Sequence, residues 1–249
     1  MTNTLKVIIW GLSFTSIFCC KTPSAENKEP VLIDDNTLSE QEQNAGWKLL
    51  FDGKTLDGWR TYQSKPADAW GVKDGEIYCK GSESDKSDLR ADLVTIDQYE
   101  NYELSVDWKI SPQGNSGIMY HVNEEYNAAY LSGPEYQLID DAGFPEPLKD
   151  WQKTASDYAM YPATSRPTKP IGEFNTSKIV VNGAHREYWL NGKKVLEFEA
   201  WSPDWEQRKA NGKWKDEPGY GQSKKGHICL QDHGGGVWFK NIKLKILTQ

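Results

Sequence analysis

The chain has 249 residues, with 29 Lys and Arg set against 36 Asp and Glu for a formal net charge of −7. That acidic balance, with no basic stripe, argues against a nucleic-acid partner, whose backbone calls for clustered Lys and Arg. The 12 Pro and 21 Gly favour strands and turns over helices, and the 11 Trp and 12 Tyr supply broad faces that pack cores and stack on sugar rings.

Lys6 and the apolar run "VIIWGLSFTSIF" read as an export signal, too short to cross a bilayer as a helix. The run meets Cys19 and Cys20. A cysteine directly after the apolar core resembles a bacterial lipoprotein signal, in which that cysteine becomes the lipidated first residue. Cys20 is the expected lipidation site, because Cys19 is small enough to precede a cleavage point. Residues 1–20 are therefore read as a lipoprotein-type signal segment. The expected location is the bacterial cell envelope, periplasm or outer membrane, with the membrane touched only through the lipid anchor. Residues 21–45 follow as a polar tether and a short helix. In "TLSEQEQNAG", Ser39 can cap the helix, Glu42 completes a capping box and Gly46 stops it.

From residue 46 to 249 the pattern is that of one β domain. "WKLLFDG", "WGVKDGEIYCK", "DLVTI", "YELSVDWKIS", "SGIMYHV", "PEYQLID", "SKIVVNG", "HREYWLNG", "KKVLEFE", "HICLQD" and "VWFKNIKLKIL" are strand candidates bounded by Gly, Asn and Asp. Asn182-Gly183 and Asn191-Gly192 are hairpin turns of the type I′ kind, in which both central residues take positive φ. About eleven short strands without amphipathic helices predict an all-β, two-sheet sandwich with long rim loops. Cys79 and Cys229 fall in separate strands and are expected as buried thiols. Two segments break the rhythm. Residues 142–173 hold five Pro and several aromatics and predict a folded lid. Residues 201–226 carry three Trp and many charges and read either as a second rim loop or as a solvated excursion.

A two-residue period sorts three strands into faces. Ile118, Tyr120 and Val122 oppose Asn115, Gly117, Met119 and His121. Tyr136 and Leu138 oppose Glu135 and Gln137. Ile228 and Leu230 oppose His227, Cys229, Gln231 and His233. With the apolar faces in the core, the others form one outer sheet surface of amides, imidazoles and a single clear carboxylate, Glu135. Solvated strand faces usually carry Lys, Thr and Glu, whereas amides and imidazoles both donate and accept, as recognition of sugar hydroxyls requires. Asn115, Gln137 and Gln231, with Trp151 and Tyr158 of the lid, are the expected substrate-binding residues.

"GWKLLFDGKTLDGW", "GNSGI", "GPEYQLIDD", "KPIGEFN", "EYWLNGKKV" and "HICLQDHGGGVWFKNIKLK" together resemble the bacterial 3-keto-disaccharide hydrolase family, over residues 46–248. The resemblance implies a concanavalin A-like jelly roll. It also implies action on glycosides already oxidised to a ketone at C3, by lyase and hydratase steps in some relatives. Such a ketone acidifies the C2 hydrogen, so one base can start a β-elimination and the carboxylate pair of an ordinary glycosidase is not needed. Glu135 and His233 are expected to share the acid and base work, either one in either role, and His121 is a second candidate for base or enolate stabiliser. No cofactor is required. A divalent metal on the enolate is chemically reasonable, and Asp140 could bind one. A non-catalytic carbohydrate-binding, lectin-like module is the alternative; incubation with a 3-keto-glycoside separates the two, because a lectin leaves it intact. If Cys20 is lipidated, Cys20→Ser releases the protein from the membrane fraction; equal retention of the variant rejects the anchor.

Overall fold

The computed structural model describes residues 1–2, 34–80 and 89–248. The signal segment with Cys19 and Cys20, and the tether up to residue 33, lie outside the described residues. Within them run strands β1 (Trp47–Leu49), β2 (Trp59–Thr61), β3 (Trp70–Lys73), β4 (Glu76–Cys79), β5 (Leu93–Thr95), β6 (Tyr102–Ile110), β7 (Asn115–Val122), β8 (Glu135–Ile139), β9 (Asn175–Asn182), β10 (His185–Leu190), β11 (Lys193–Glu199), β12 (His227–Leu230) and β13 (Val237–Ile246), with helices α1 (Glu40–Asn44) and α2 (Pro203–Asn211). Every stretch expected as a strand contains one. "WGVKDGEIYCK" is two, β3 and β4, folded at Asp74-Gly75 with both residues at positive φ. The additional strand, β2, has three residues and is too short to display a period.

The strands form two antiparallel sheets, the two-sheet sandwich expected. The larger has the order β11-β10-β9-β6-β13-β4-β3, with β1 also paired to β13; the smaller has the order β2-β5-β12-β7-β8. Alternation decides what lies between them. In β6, Tyr102, Leu104, Val106, Trp108 and Ile110 are buried and the residues between them half-exposed. They meet Ile118, Tyr120, Tyr136, Leu138, Ile228 and Leu230 of the smaller sheet in one core. The hairpins follow their residues. Asn191 and Gly192 both take positive φ, as type I′ requires. At the other turn Asn182 pairs with His185, so the two loop residues are Gly183 and Ala184, and Gly183 alone has positive φ, the type II′ pattern. Cys79 and Cys229 lie buried as thiols in different sheets.

The sheets differ on their outer faces. The larger is half-exposed there. In the smaller, β8 and β12 are buried along their whole length, and β7 half-exposes Asn115 alone. Backbone from the lid closes one edge of that sheet: Gln137 N donates to Ser156 O, Ala155 N to Gln137 O and Tyr158 N to Glu135 O, at 2.9–3.1 Å. A third layer comes from α2, capped by Ser202 and opened by Pro203. Its Trp205 stacks on Tyr220, which stacks on Trp214 at 4.2 Å. Residues 201–226 are thus a packed rim element. On the amino-terminal side, α1 has the expected capping box, and Asn36 and Asn241 exchange backbone-to-amide hydrogen bonds that tie residues 34–45 to β13.

One expectation fails for a local reason. Between the pairs Met119–Cys229 and Val122–His227, β7 carries one more residue than β12, and His121 sits at φ 52°. This bulge inverts the alternation. Val122 leaves the core side and joins Met119, Cys229, Val94, Tyr62 and Ala129 in a separate apolar cluster. His121 turns edge-on to Tyr102 and Tyr120.

Tyr136 tests the face assignment. It has no exposed surface, its ring lies 4.9 Å from that of Tyr188, and its hydroxyl donates to Trp189 O at 3.0 Å. Tyr136→Ala should cost about 3–5 kcal/mol, which for a domain of this size lowers the melting temperature by roughly 6–20 °C. A melting curve that does not move would take Tyr136 out of the core.

Candidate active site

Because β12, β7 and β8 are neighbours, Asn115, Glu135, Gln137 and Gln231 come to one patch of the smaller sheet's outer face. Gly117 stands at its centre, opposite Gln137 on β8. A Cβ on Gly117 would overlap the Glu135 carboxyl, so the glycine is the space into which Glu135 folds. A cavity of about 410 Å³ opens over the patch. Of the expected residues, Asn115, Glu135, Gln137, Gln231, His233 and Tyr158 line it. Asp92, Asp232, Tyr130, Lys213 and Trp214 complete it.

Glu135 is 5% exposed, and its carboxyl has no hydrogen-bond partner among the described residues. Burial pushes its pKa up to about 8, opposed by the charge of Lys213 and reinforced by Asp92 and Asp157. The group therefore carries its proton at neutral pH. Asp92, also buried, is raised to about 6 and is ionised at pH 7; Asp232 N donates to its Oδ1 at 2.9 Å. The Asp232 carboxylate is held in turn by Arg90 at 2.9 Å and by Gly234 N at 3.1 Å. His233 stands at the cavity edge with Nδ1 3.4 Å from the Asn115 amide. Burial first, and then Arg90 and Lys213, hold its imidazolium pKa below the usual 6.5 despite a hydrogen bond to its own backbone, so the ring is neutral at pH 7.

Two expected roles are corrected, those of His121 and Trp151. His121 does not line the cavity: the bulge turns it away, its Nε2 bonds to Glu100 O at 2.8 Å, and burial lowers its pKa to about 4. Trp151 stands behind Tyr158, with ring centres 5.4 Å apart, and supports that ring instead of lining the cavity. Gln137 lines the floor, but its amide nitrogen is spent on Gln152 O at 3.1 Å, a tie between strand and lid. Asp140 shapes a turn, accepting from the backbone of Gln113, Ala142 and Gly143 at 2.8–3.3 Å. Among the described residues, one group has metal-ligand types within reach of one another: His185, Glu187 and Glu197, on the larger sheet. Lys194 bridges both glutamates, at 3.1 and 2.5 Å.

Asp92, Asp232 and Lys213 had weaker signals in the sequence. Asp232 follows Gln231 in the HICLQDH run, and alternation assigns it to the other face; β12 ends at Leu230, so alternation no longer applies there. Asp92 precedes β5 by one residue. Lys213 sits in a charged insertion whose folding depends on stacked rings far from it in sequence.

Residues 46–245 match the family described as the 3-keto-alpha-glucoside-1,2-lyase-like domain. A 3-keto-disaccharide hydrolase of Bacteroides thetaiotaomicron is 34% identical over 229 residues, covering 81% of this chain and 79% of that protein. A crystal structure of a protein of Parabacteroides distasonis ATCC 8503 assigned as a glycosyl hydrolase superposes with a TM-score of 0.81 at 43% identity, covering 86% of this chain and 100% of the other. A second so assigned from the same organism gives 0.62 at 28% identity, covering 81% and 99%.

Gly117 makes the geometry testable. Gly117→Ala leaves β7 free to form, since its neighbours already carry side chains, but it forces the Glu135 carboxyl out of place. Catalytic turnover should fall by at least tenfold with little change in melting temperature. Turnover at the wild-type rate would mean that the position of Glu135 is unimportant.

Proposed function

The chain belongs to the 3-keto-alpha-glucoside-1,2-lyase-like family, and from that premise we propose that it cleaves glycosides carrying a ketone at C3, by removing the C2 proton and expelling the C1 substituent. The observation that carries the proposal is the setting of Glu135: a carboxyl group with no hydrogen-bond partner among the described residues, its pKa raised by burial, on the wall of a cavity of sugar size. A lectin gains nothing from such a group. A glycoside-cleaving enzyme needs one, because the departing oxygen must receive a proton.

The roles follow from which group holds a proton at pH 7. His233 is neutral and serves as the base. The Asn115 amide nitrogen donates weakly to Nδ1 at 3.4 Å; a substrate hydroxyl that engages Asn115 releases that nitrogen and leaves His233 with a free lone pair. The ring takes the proton from C2, and the C2–H electron pair forms an enolate with the C3 ketone. The pair then returns to form the C1=C2 bond, the C1–O bond breaks, and the leaving oxygen takes the Glu135 proton. Addition of water to the alkene makes the net reaction a hydrolysis. Gln231 and Asn115 bind hydroxyls, and Tyr130 and Tyr158 bring aromatic edges to the cavity wall. The substrate is a sugar; the envelope location and Cys20 anchor are part of the same proposal.

Two measurements test it. Glu135→Gln keeps the shape but loses the acid, and turnover on a 3-keto-glycoside should fall by about 10²–10⁴-fold. The wild-type pH profile should be a bell. Its acidic limb lies below 6.5, where His233 gains a proton, and its alkaline limb near 8, where Glu135 loses one. The alkaline limb should vanish in Glu135→Gln, and the acidic limb in His233→Gln. An acidic limb near 6 that survives in His233→Gln would move the base to Asp92. A wild-type protein that binds the 3-keto-glycoside and leaves it intact would be a lectin.

A further inference from the structure

Elimination creates negative charge on the C3 oxygen, and the cavity must meet it. Among the described residues that line the cavity, Lys213 is the one cation. We infer that the Lys213 ammonium binds the C3 ketone and holds the enolate oxygen during proton removal; this rests on the elimination reading above.

The placement of Lys213 supports that role. No carboxylate or carbonyl pairs with its ammonium among the described residues. Instead it lies over three rings, 4.4 Å from the centre of Tyr158, 4.6 Å from that of Trp214 and 5.9 Å from that of Tyr130. Ring faces attract a cation without the strong N–H···O bond that a carboxylate would make, so the ammonium can still donate to a substrate oxygen. The support is firm. Trp214, the next residue, is buried on Tyr220 at 4.2 Å and donates Nε1–H to Tyr158 O at 3.1 Å. Lys213 thus stands where the lid and the rim element join, at the cavity mouth.

The rest of the lining is matched to other parts of the substrate. Asp92 and the buried Asp232 are acceptors, suited to hydroxyl groups and hostile to an oxyanion. Glu135 is committed to the leaving oxygen. The electron flow then needs one donor at C3. As the C2–H pair becomes the C2=C3 bond, the carbonyl π pair moves onto oxygen, and the Lys213 N–H bond to that oxygen shortens without proton transfer. When the pair returns to expel the C1 substituent, the ketone re-forms and the ammonium is unchanged.

The experiment compares wild type with Lys213→Met and Lys213→Arg, using methyl 3-keto-glucosides of both anomers and their unoxidised parents. Lys213→Met should lower turnover by about 10²–10³-fold, the effect of removing one oxyanion donor, and slow exchange of the C2 hydrogen with D₂O. It should weaken binding of the 3-keto-glucoside while binding of the parent is unchanged, and Lys213→Arg should recover part of both. Equal loss of binding for ketone and parent would make Lys213 a general rim contact. Unchanged turnover with only an upward shift of the alkaline limb would make it a tuner of Glu135. Loss of wild-type turnover in EDTA, restored by Mn²⁺ or Mg²⁺, would give the oxyanion to a metal. Each of these three overturns the inference. Should the wild type leave the 3-keto-glucosides intact, the elimination reading fails by itself, and the two binding constants still decide whether Lys213 grips the ketone.

Discussion

A carboxyl group with little exposure and no hydrogen-bond partner among the described residues is costly to charge, and this fold keeps one on the wall of its cavity. Glu135 lies on a sheet face, where water would ordinarily solvate it. Three features restrict that water to what the cavity admits: the lid backbone along β8, the rim element that brings Trp214 to the cavity, and the space at Gly117 into which the carboxyl folds. Each is a structural commitment made some distance from the carboxyl itself. The protonated state at neutral pH follows from those commitments and not from any single contact. Asp92, less deeply confined and hydrogen-bonded by Asp232 N, stays ionised at the same pH. Two carboxyls in one cavity are thereby assigned opposite states by their surroundings.

Much of the fold could be read directly because strand alternation is a local property. The buried residues of β6, the core position of Tyr136 and the Asn191-Gly192 turn all follow from residues within a few positions of one another. The same logic brought Asn115, Glu135, Gln137 and Gln231 to one face. It failed at His121, where one extra residue in β7 reverses the faces beyond it, and nothing in "MYHV" signals a left-handed histidine. It failed again at Lys213 and Asp92. Neither lies within a strand, and both reach the cavity only because loops distant in sequence pack together. The role of Gln137 was half legible: its position was periodic, but its partner, Gln152 O, depends on how the lid folds.

The aromatic richness of the composition serves two purposes here. Trp205, Tyr220 and Trp214 form a continuous stack that builds the roof, and Trp151 braces Tyr158. Only the last members of these series, Trp214 and Tyr158, with Tyr130, reach the cavity. A Trp-rich sequence suggested a surface for stacking on sugars, yet most of that aromatic area is spent holding the few rings that can do so. The lid and the rim element are also joined to each other, through Trp214 Nε1 and Tyr158 O and through Tyr161 and Asp204 at 2.7 Å. They form one cover.

The lid backbone has a further consequence. β8 is the last strand of its sheet, and an uncovered edge is a template for pairing with another chain. Residues 155–158 occupy that edge with main-chain hydrogen bonds, so the segment that shapes the cavity also closes the β8 edge to another strand. Shortening the lid to admit larger glycosides would bare the β8 edge, and a wider entrance would come with a tendency to self-associate. Any redesign of specificity here must therefore leave residues 155–158 in place and work on the parts of the lid to either side.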